Sequence, residues 1–241
     1  MLKRSFVKLY LIISLFYTSC DFLKSQSPDY RDIFRDDWNN ALIFERENRS
    51  WMEPLLTKNG ISYPVAIAVI FPELVRYSAL RDKMEITVLK ALYINLGDEY
   101  ANFSIGRFQM KPSFACLIRE QASLFLGRKS GSLFKQNPEN DDIRDFRKQI
   151  IEELEDPQKQ FNYLIAFLKI CEKKYRLNRK DETGKIKFLS TAYNYGIDKT
   201  ATRIDSMINR KFFNTKLFST ENYSYADVSI YWYNQYQAEN K

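Results

Sequence analysis

The sequence contains no histidine, and this absence excludes more chemistry than any other feature of its composition. Systems in which an imidazole activates a serine or cysteine, and zinc sites of the HExxH kind, all need histidine. The three cysteines, Cys20, Cys116 and Cys171, are far apart and form no CxxC pair. We therefore expect no metal and no cofactor. Any catalysis must depend on carboxylate, lysine, tyrosine or cysteine side chains.

Glycine and proline are also scarce, with seven of each in 241 residues. Leucine, isoleucine, phenylalanine and tyrosine are abundant and recur at helical spacing between short polar breaks. This pattern predicts an all-α fold with no large sheet. The chain is long enough for one medium-sized domain with a sizeable core, but too short for two large domains.

The N-terminus carries the features of an export signal. Basic residues precede an apolar stretch, residues 9–17, that is too short to span a bilayer. The small residues Thr18 and Ser19 then lead to Cys20. This resembles a bacterial lipoprotein signal, which implies a signal peptide over residues 1–19, lipidation of Cys20 and a tether over residues 20–29. The protein would then be membrane-anchored in the bacterial cell envelope, on the periplasmic side. An ordinary signal peptide cut nearby and an uncleaved anchor are the alternatives.

The net charge of the chain after removal of the signal peptide indicates which polymers it could bind. Removal of residues 1–19 takes away three basic residues and no acidic ones, so the formal net charge falls from +7 to +4. No dense lysine and arginine run remains, and we expect no nucleic-acid partner. An anionic cell-wall polymer would still be attracted.

Cys116 and Cys171 both fall in apolar helical patterns. In an oxidising compartment they could form a disulfide, and free cysteines in such patterns are commonly small buried hydrophobes. Both interpretations stay open, because sequence alone does not fix the distance between the two residues.

Apolar periodicity predicts helices over residues 30–56, 82–96, 141–154, 157–175 and 186–195. Residues 65–71 are apolar on all sides, which predicts burial in the domain centre, with Ser62 as the cap of that helix. Pro72 lacks a backbone donor and should bend or restart the helix, so that Glu73 would lie at the end of a buried segment. Residues 98–112 are typical of a loop or small β-ribbon. The aromatic-rich residues from 214 onward are predicted to pack across the domain surface.

Four short pieces of sequence then occur in a recognisable order. They are FPEL at residues 71–74, SIGRFQMKP at 104–112, DPQ at 156–158 and AYNYG at 192–196. In order and spacing they resemble the transglycosylase SLT family, the lysozyme-like domain of soluble lytic transglycosylases and goose-type lysozyme. The resemblance implies a lysozyme-like domain over residues 58–204, with an N-terminal helix over 30–57 before it and a C-terminal extension over 205–241 packed on it.

The same resemblance implies a function. Glu73 matches the family's catalytic glutamate, which cleaves the β-1,4 bond between N-acetylmuramic acid and N-acetylglucosamine in peptidoglycan glycan strands and leaves a 1,6-anhydro product. From the chemistry alone, a carboxyl group can protonate a leaving oxygen near neutral pH only if burial raises its pKa. Glu73 follows an apolar helical segment, and we therefore expect it to be buried with a raised pKa.

Further roles are implied for residues of the second and fourth pieces. Gly106 would let the backbone approach the glycan closely, and Gln109 has amide donors and an acceptor suited to N-acetyl or hydroxyl groups. Phe108 would form an apolar wall. Tyr193 would donate a hydrogen bond that orients the catalytic glutamate, and Asn194 would support the loop or the sugar.

Two features depart from the family pattern. Leu74 stands where the family has serine after the glutamate, and 32 residues separate Glu73 from Gly106, which implies an inserted helix near the cleft. The alternatives are therefore a lysozyme-like domain that binds glycan without turnover, and a structural lipoprotein with coincidental motifs. If the enzyme is instead a muramidase that hydrolyses the bond, Asp98 and Glu99 are candidates for a second carboxylate.

Overall fold

The computed structural model describes residues 28–79, 83–127, 133–134, 142–215 and 221–240. Helices make up 74% of it and strands 4%, which confirms the predicted mainly helical class. The signal peptide, Cys20 and most of the predicted tether lie outside the described residues. Within the described part of the chain, no helix is both long and apolar enough to cross a membrane.

The described residues form ten α-helices, one short 3₁₀-helix and two short strands. In chain order they are α1 (Tyr30–Phe34), α2 (Asp36–Lys58), α3 (Tyr63–Ala79), α4 (Lys83–Leu96), α5 (Pro112–Leu126), α6 (Ile143–Glu155), α7 (Pro157–Tyr175), the 3₁₀-helix (Leu177–Arg179), α8 (Glu182–Tyr195), α9 (Ala201–Asp205), β1 (Lys211–Phe213), β2 (Tyr223–Ser224) and α10 (Tyr225–Glu239). Strands β1 and β2 pair antiparallel.

The predicted helix over residues 30–56 is in fact two helices. Arg35 has a φ of 45°, outside the helical region, and separates α1 from α2. Asp29 caps α1 by accepting hydrogen bonds from the backbone N–H groups of Arg31 and Asp32. Asp29 also accepts a 2.5 Å hydrogen bond from Tyr231 of α10, so the last residue of the predicted tether is fixed to the domain.

Helix α3 is the buried centre, as the all-apolar pattern predicted. Residues 65–71 are all buried, and α3 packs against α2, α8 and α10. The sequence predicted that Pro72 bends the helix or starts a new one next to Glu73. The structure shows no new helix there, because α3 continues to Ala79 with Pro72 inside it. A proline removes one backbone hydrogen bond, and here burial on both sides of Pro72 outweighs that loss.

Helix α10 belongs to the same packed layer. It contacts α3 and α8, and its Tyr225, Val228 and Trp232 side chains are buried. Trp232 stacks on Phe71 with ring centroids 5.3 Å apart. The C-terminal aromatic segment therefore covers the central helix on the side that carries the candidate site.

A second group of helices packs alongside. Helix α5 contacts α6 and α7, α4 contacts α6, and α6 contacts α7. Helix α4 lies in the long interval between Glu73 and Gly106, where the sequence implied an inserted helix. The buried side chains of both groups form one continuous core.

The loop over residues 105–110 contacts both groups of helices. Its ends are held by a single antiparallel bridge between Ile105 and Met110, which matches the predicted small ribbon or loop. The side chain of Gln160, on α7, holds the loop through two hydrogen bonds to its backbone. Its Nε2 donates to the Ile105 carbonyl at 2.7 Å, and its Oε1 accepts from the Phe108 N–H at 3.2 Å.

Gly106 is required in this loop for packing. Its φ is +68°, and a Cβ at this position would lie 2.3 Å from the Leu154 carbonyl oxygen and 2.6 Å from Gln160 Oε1. The side of Gly106 on which a Cβ would lie therefore faces α6 and α7, and the backbone makes its close approach to these two helices.

Gly106→Ala should lower the free energy of unfolding by about 3 kcal/mol or more, since it combines positive-φ strain with a clash against backbone. Gly60→Ala is a matched control, because Gly60 has a φ of +69° but nothing within 4 Å of its Cβ position. It should cost only about 1 kcal/mol. Urea unfolding followed by circular dichroism measures both, and equal costs would contradict the tight packing of Gly106.

Candidate active site around Glu73

Glu73 lies within α3 and is 3% exposed. Arg76, three residues later on the same helix, binds both carboxylate oxygens through Nη1, at 2.9 and 3.0 Å. The Arg76 guanidinium packs over the Phe213 ring of β1, 4.7 Å from its centroid. The carboxylate is therefore buried, and its charge is balanced by a cation from its own helix.

Burial and nearby charges act on Glu73 in opposite directions. Burial penalises the ionised form and raises the pKa of Glu73 above its ordinary value of 4.5, while Arg76, Tyr225 and Lys111 lower it. Burial is the largest influence, and the pKa of Glu73 is raised overall. A carboxyl group in this environment keeps its proton to a higher pH than a surface glutamate does, which a general acid requires.

Tyr225 of α10 is the tyrosine that interacts with Glu73. Its buried hydroxyl lies 3.2 Å from the Val69 carbonyl and also interacts with the Glu73 carboxylate. One hydroxyl has a single proton, so it can donate to only one of these acceptors at a time. The four motifs gave no signal for Tyr225, because it lies in the segment assigned only to surface packing.

Tyr193 lies close to Glu73 but makes a different hydrogen bond from the one predicted. Its hydroxyl donates to the Phe108 carbonyl at 2.8 Å, so its single proton is used to hold the 105–110 loop. Burial raises the pKa of Tyr193 strongly, and the charge of Glu73 raises it further. Tyr193 thus connects α8 to the loop beside the acid and has no proton left for orienting Glu73.

The loop residues predicted to bind sugar make packing and hydrogen-bond contacts inside the protein. Phe108 is fully buried, with ring centroids 5.6 Å from Phe161 and 6.1 Å from Phe44, so it is a core residue and cannot form a wall of an open cleft. Gln109 is half-buried with a φ of 47°, and its Nε2 donates to the Gly106 carbonyl at 2.9 Å.

Asn194 is exposed at the end of α8, next to the half-buried Tyr195, whose hydroxyl accepts a 3.0 Å hydrogen bond from Arg203. Asp98 and Glu99 are exposed in the loop after α4, the environment expected for solvated loop charges. Of the predicted residues, the structure thus brings Tyr193 and the 105–110 loop to Glu73, while Asn194 faces solvent.

Two cations of the second motif were missed by sequence reasoning. Lys111, next to the loop, acts electrostatically on Glu73. The Arg107 guanidinium lies over the Tyr77 ring at 4.4 Å and over the Phe44 ring at 4.8 Å. Tyr77 follows Glu73 by one helical turn, so the surroundings of the acid are basic and aromatic.

The other buried carboxylates accept hydrogen bonds from side chains inside the protein. Glu153 accepts hydrogen bonds from Arg119 at 2.6 Å, Tyr163 at 2.5 Å and Gln149 at 2.9 Å. Glu45 accepts a 2.5 Å hydrogen bond from Tyr63. Neither lies in a motif piece, and Glu73 remains the buried acid that the motif loop approaches.

Neither cysteine that the structure describes is in a disulfide. Cys116 is partly buried and Cys171 fully buried, and burial raises the pKa of both thiols. Of the two interpretations left open by the sequence, the structure favours small buried hydrophobes. Among the described residues, no group of cysteine, aspartate and glutamate side chains could hold a metal ion.

Comparison of the chain with protein-family models, with curated proteins and with solved structures found no match.

Glu73→Gln should change how stability depends on pH. Because the folded pKa of Glu73 is raised, the wild-type protein binds this proton more tightly when folded, and it loses the associated stability as pH rises from about 4.5 through the folded pKa. Glutamine does not titrate. The free energy of unfolding of the variant minus that of the wild type should therefore increase with pH.

Urea titrations of both proteins at a series of pH values between 4 and 8 measure this difference. The exposed Glu152→Gln on α6 is the matched control for loss of a surface carboxylate. A Glu73→Gln difference that falls as pH rises would mean that Arg76 dominates and that the folded pKa is depressed.

Proposed function

We propose that this protein is a peptidoglycan lytic transglycosylase with a lysozyme-like fold, in which Glu73 is the only catalytic acid and base. The observation that carries the proposal is a buried carboxyl group with a raised pKa, next to the 105–110 loop and Tyr193. The order of the four sequence pieces supports it. The proposal includes a lipid anchor at Cys20 and a place in the bacterial cell envelope.

One carboxyl group is enough for this reaction. Protonated Glu73 would give its proton to the glycosidic oxygen, so that the bond from muramic C1 to that oxygen breaks and N-acetylglucosamine leaves with a hydroxyl group. The carboxylate would then take the proton of the muramic C6 hydroxyl as its oxygen bonds to C1. The product is a 1,6-anhydro ring, and no water is consumed.

Arg76 sets a condition on this mechanism. A carboxylate with both oxygens bound by a guanidinium cannot present a proton to a substrate, so Arg76 must release at least one oxygen during turnover. The Arg76 side chain is 22% exposed and can turn toward solvent, whereas that of Glu73 is 4% exposed. Arg76 is thus a positioning residue that favours the ionised state of Glu73.

The same contact favours a second candidate function, a glycan-binding envelope protein without turnover. Arg76 bonds both oxygens of the Glu73 carboxylate and so blocks it from a substrate. Leu74 also replaces the serine expected after the glutamate. A muramidase that hydrolyses the same bond is the third alternative. The products distinguish all three.

The full chain incubated with peptidoglycan sacculi should release muropeptides with 1,6-anhydro ends, detected by mass spectrometry. Glu73→Gln should lower the rate by about a thousandfold or more, since it removes the only proton donor, and Glu152→Gln should release products at the wild-type rate. Reducing ends would indicate a muramidase. Sacculi that bind the protein but yield no soluble products would favour the binding function.

Arg76→Lys and Arg76→Ala should shift the alkaline limb of the pH–rate profile. The Arg76 charge lowers the pKa of Glu73, so its removal should keep the acid protonated to higher pH and move the limb upward. Lysine should give a smaller shift than alanine. Equal loss of rate at every pH, with no movement of the limb, would assign Arg76 a structural role only.

A further inference from the structure

A cavity of about 1090 Å³ lies at the other end of α3, and the proposed function makes no use of it. It is bounded by the end of α2, the start of α3, the second half of α7 and the first half of α8. Val65, the α3 residue that lines it, precedes Glu73 by eight positions. At the helical rise of 1.5 Å per residue this is about 12 Å along the axis, so the cavity is separate from the candidate active site.

The inner wall of this cavity is apolar. Ile61, Leu126 and Leu133 are partly exposed and line this wall, and the nearly buried Val65, Leu168 and Leu189 contribute its remainder. The exposed parts of these side chains leave an apolar surface that the alkyl part of a ligand would cover. A small inorganic anion would leave this surface in contact with water.

The rim of the cavity is basic. Five lysines and two glutamates line it: Lys58, Lys169, Lys173, Lys180, Lys185, Glu172 and Glu182. Lys180 pairs with Asp205 and Lys185 pairs with Glu172, each at 3.1 Å. Among the residues that the structure describes, no carboxylate forms an ion pair with Lys58 or Lys173, and Lys173 donates to the neutral Phe125 carbonyl at 3.0 Å.

We propose that this cavity binds an anionic amphiphile, with its alkyl chain against the apolar wall and its carboxylate or phosphate head beside Lys58 and Lys173. Both halves of the lining are needed for this conclusion. The lysines favour a negative head over a neutral one, and the wall favours a chain over a bare anion. The head comes either from a free fatty acid or from a lysophospholipid.

The test uses the full chain and cis-parinarate, a fluorescent long-chain fatty acid. We expect saturable binding at one site, displaced by palmitate or by palmitoyl-lysophosphatidylglycerol, and the tighter of the two identifies the head group. Octanoate should compete about tenfold or more weakly, because it buries fewer methylene groups. Displacement by inorganic phosphate or by neutral hexadecanol as effective as that by palmitate would overturn the proposal.

Variants of the rim and the wall test the location. Lys58→Glu combined with Lys173→Glu should weaken palmitate binding by about tenfold or more at low salt, with a smaller loss at high salt. The control is Arg144→Glu combined with Lys148→Glu, which changes the net charge equally at exposed positions of α6. Ile61→Trp should narrow the cavity at its apolar wall and weaken palmitate binding.

All variants are first compared with the wild type by circular dichroism and thermal melting, so that loss of binding is read only from folded protein. Wild-type affinity in both the rim double variant and folded Ile61→Trp would place the amphiphile elsewhere and overturn the proposal. Palmitate binding weakened equally by the α6 control would do the same, because it would show a response to net charge alone.

Discussion

The ion pair between Glu73 and Arg76 constrains the arrangement of the structure around it. A carboxylate in the middle of an apolar helix is costly unless a partner stays within reach, and Arg76 supplies that partner from the next turn. Arg76 in turn packs against Phe213, which ties β1 to α3, and Tyr225 brings α10 to the same carboxylate. The environment of the acid therefore depends on two segments from the C-terminal part of the described chain, far from α3 in sequence.

Local sequence patterns predicted the helices well where helix formation is a local matter. Helix α7 has the predicted bounds, because Asp156 and Pro157 provide a cap and a first residue that any chain would use. The interval around Pro72 was not predictable in this way. Whether a proline ends a helix depends on how much burial its neighbours gain in the folded protein, and that gain comes from α2, α8 and α10.

The candidate site was predictable only in part, and for a similar reason. The resemblance predicts that Glu73, Tyr193 and the 105–110 loop lie together, and in the structure Tyr193 is close to Glu73 and bonds the loop. It could not reveal that the Tyr193 proton is used by Phe108, or that Gly106 faces Leu154, because the same residue types serve glycan binding and packing equally well. Tyr225 has no local signature, and its role follows only from the contact between α3 and α10.

The position of α10 has a consequence for the order of events during synthesis. Because α3 is made long before α10, the emerging chain carries Glu73, Val69 and Phe71 without the helix that later covers them. During that interval the carboxyl group lacks Tyr225 and the part of its burial that α10 provides. The burial that raises the pKa of Glu73 therefore depends in part on the last helix, and a polypeptide that ends before α10 would hold this carboxyl group in a more hydrated environment.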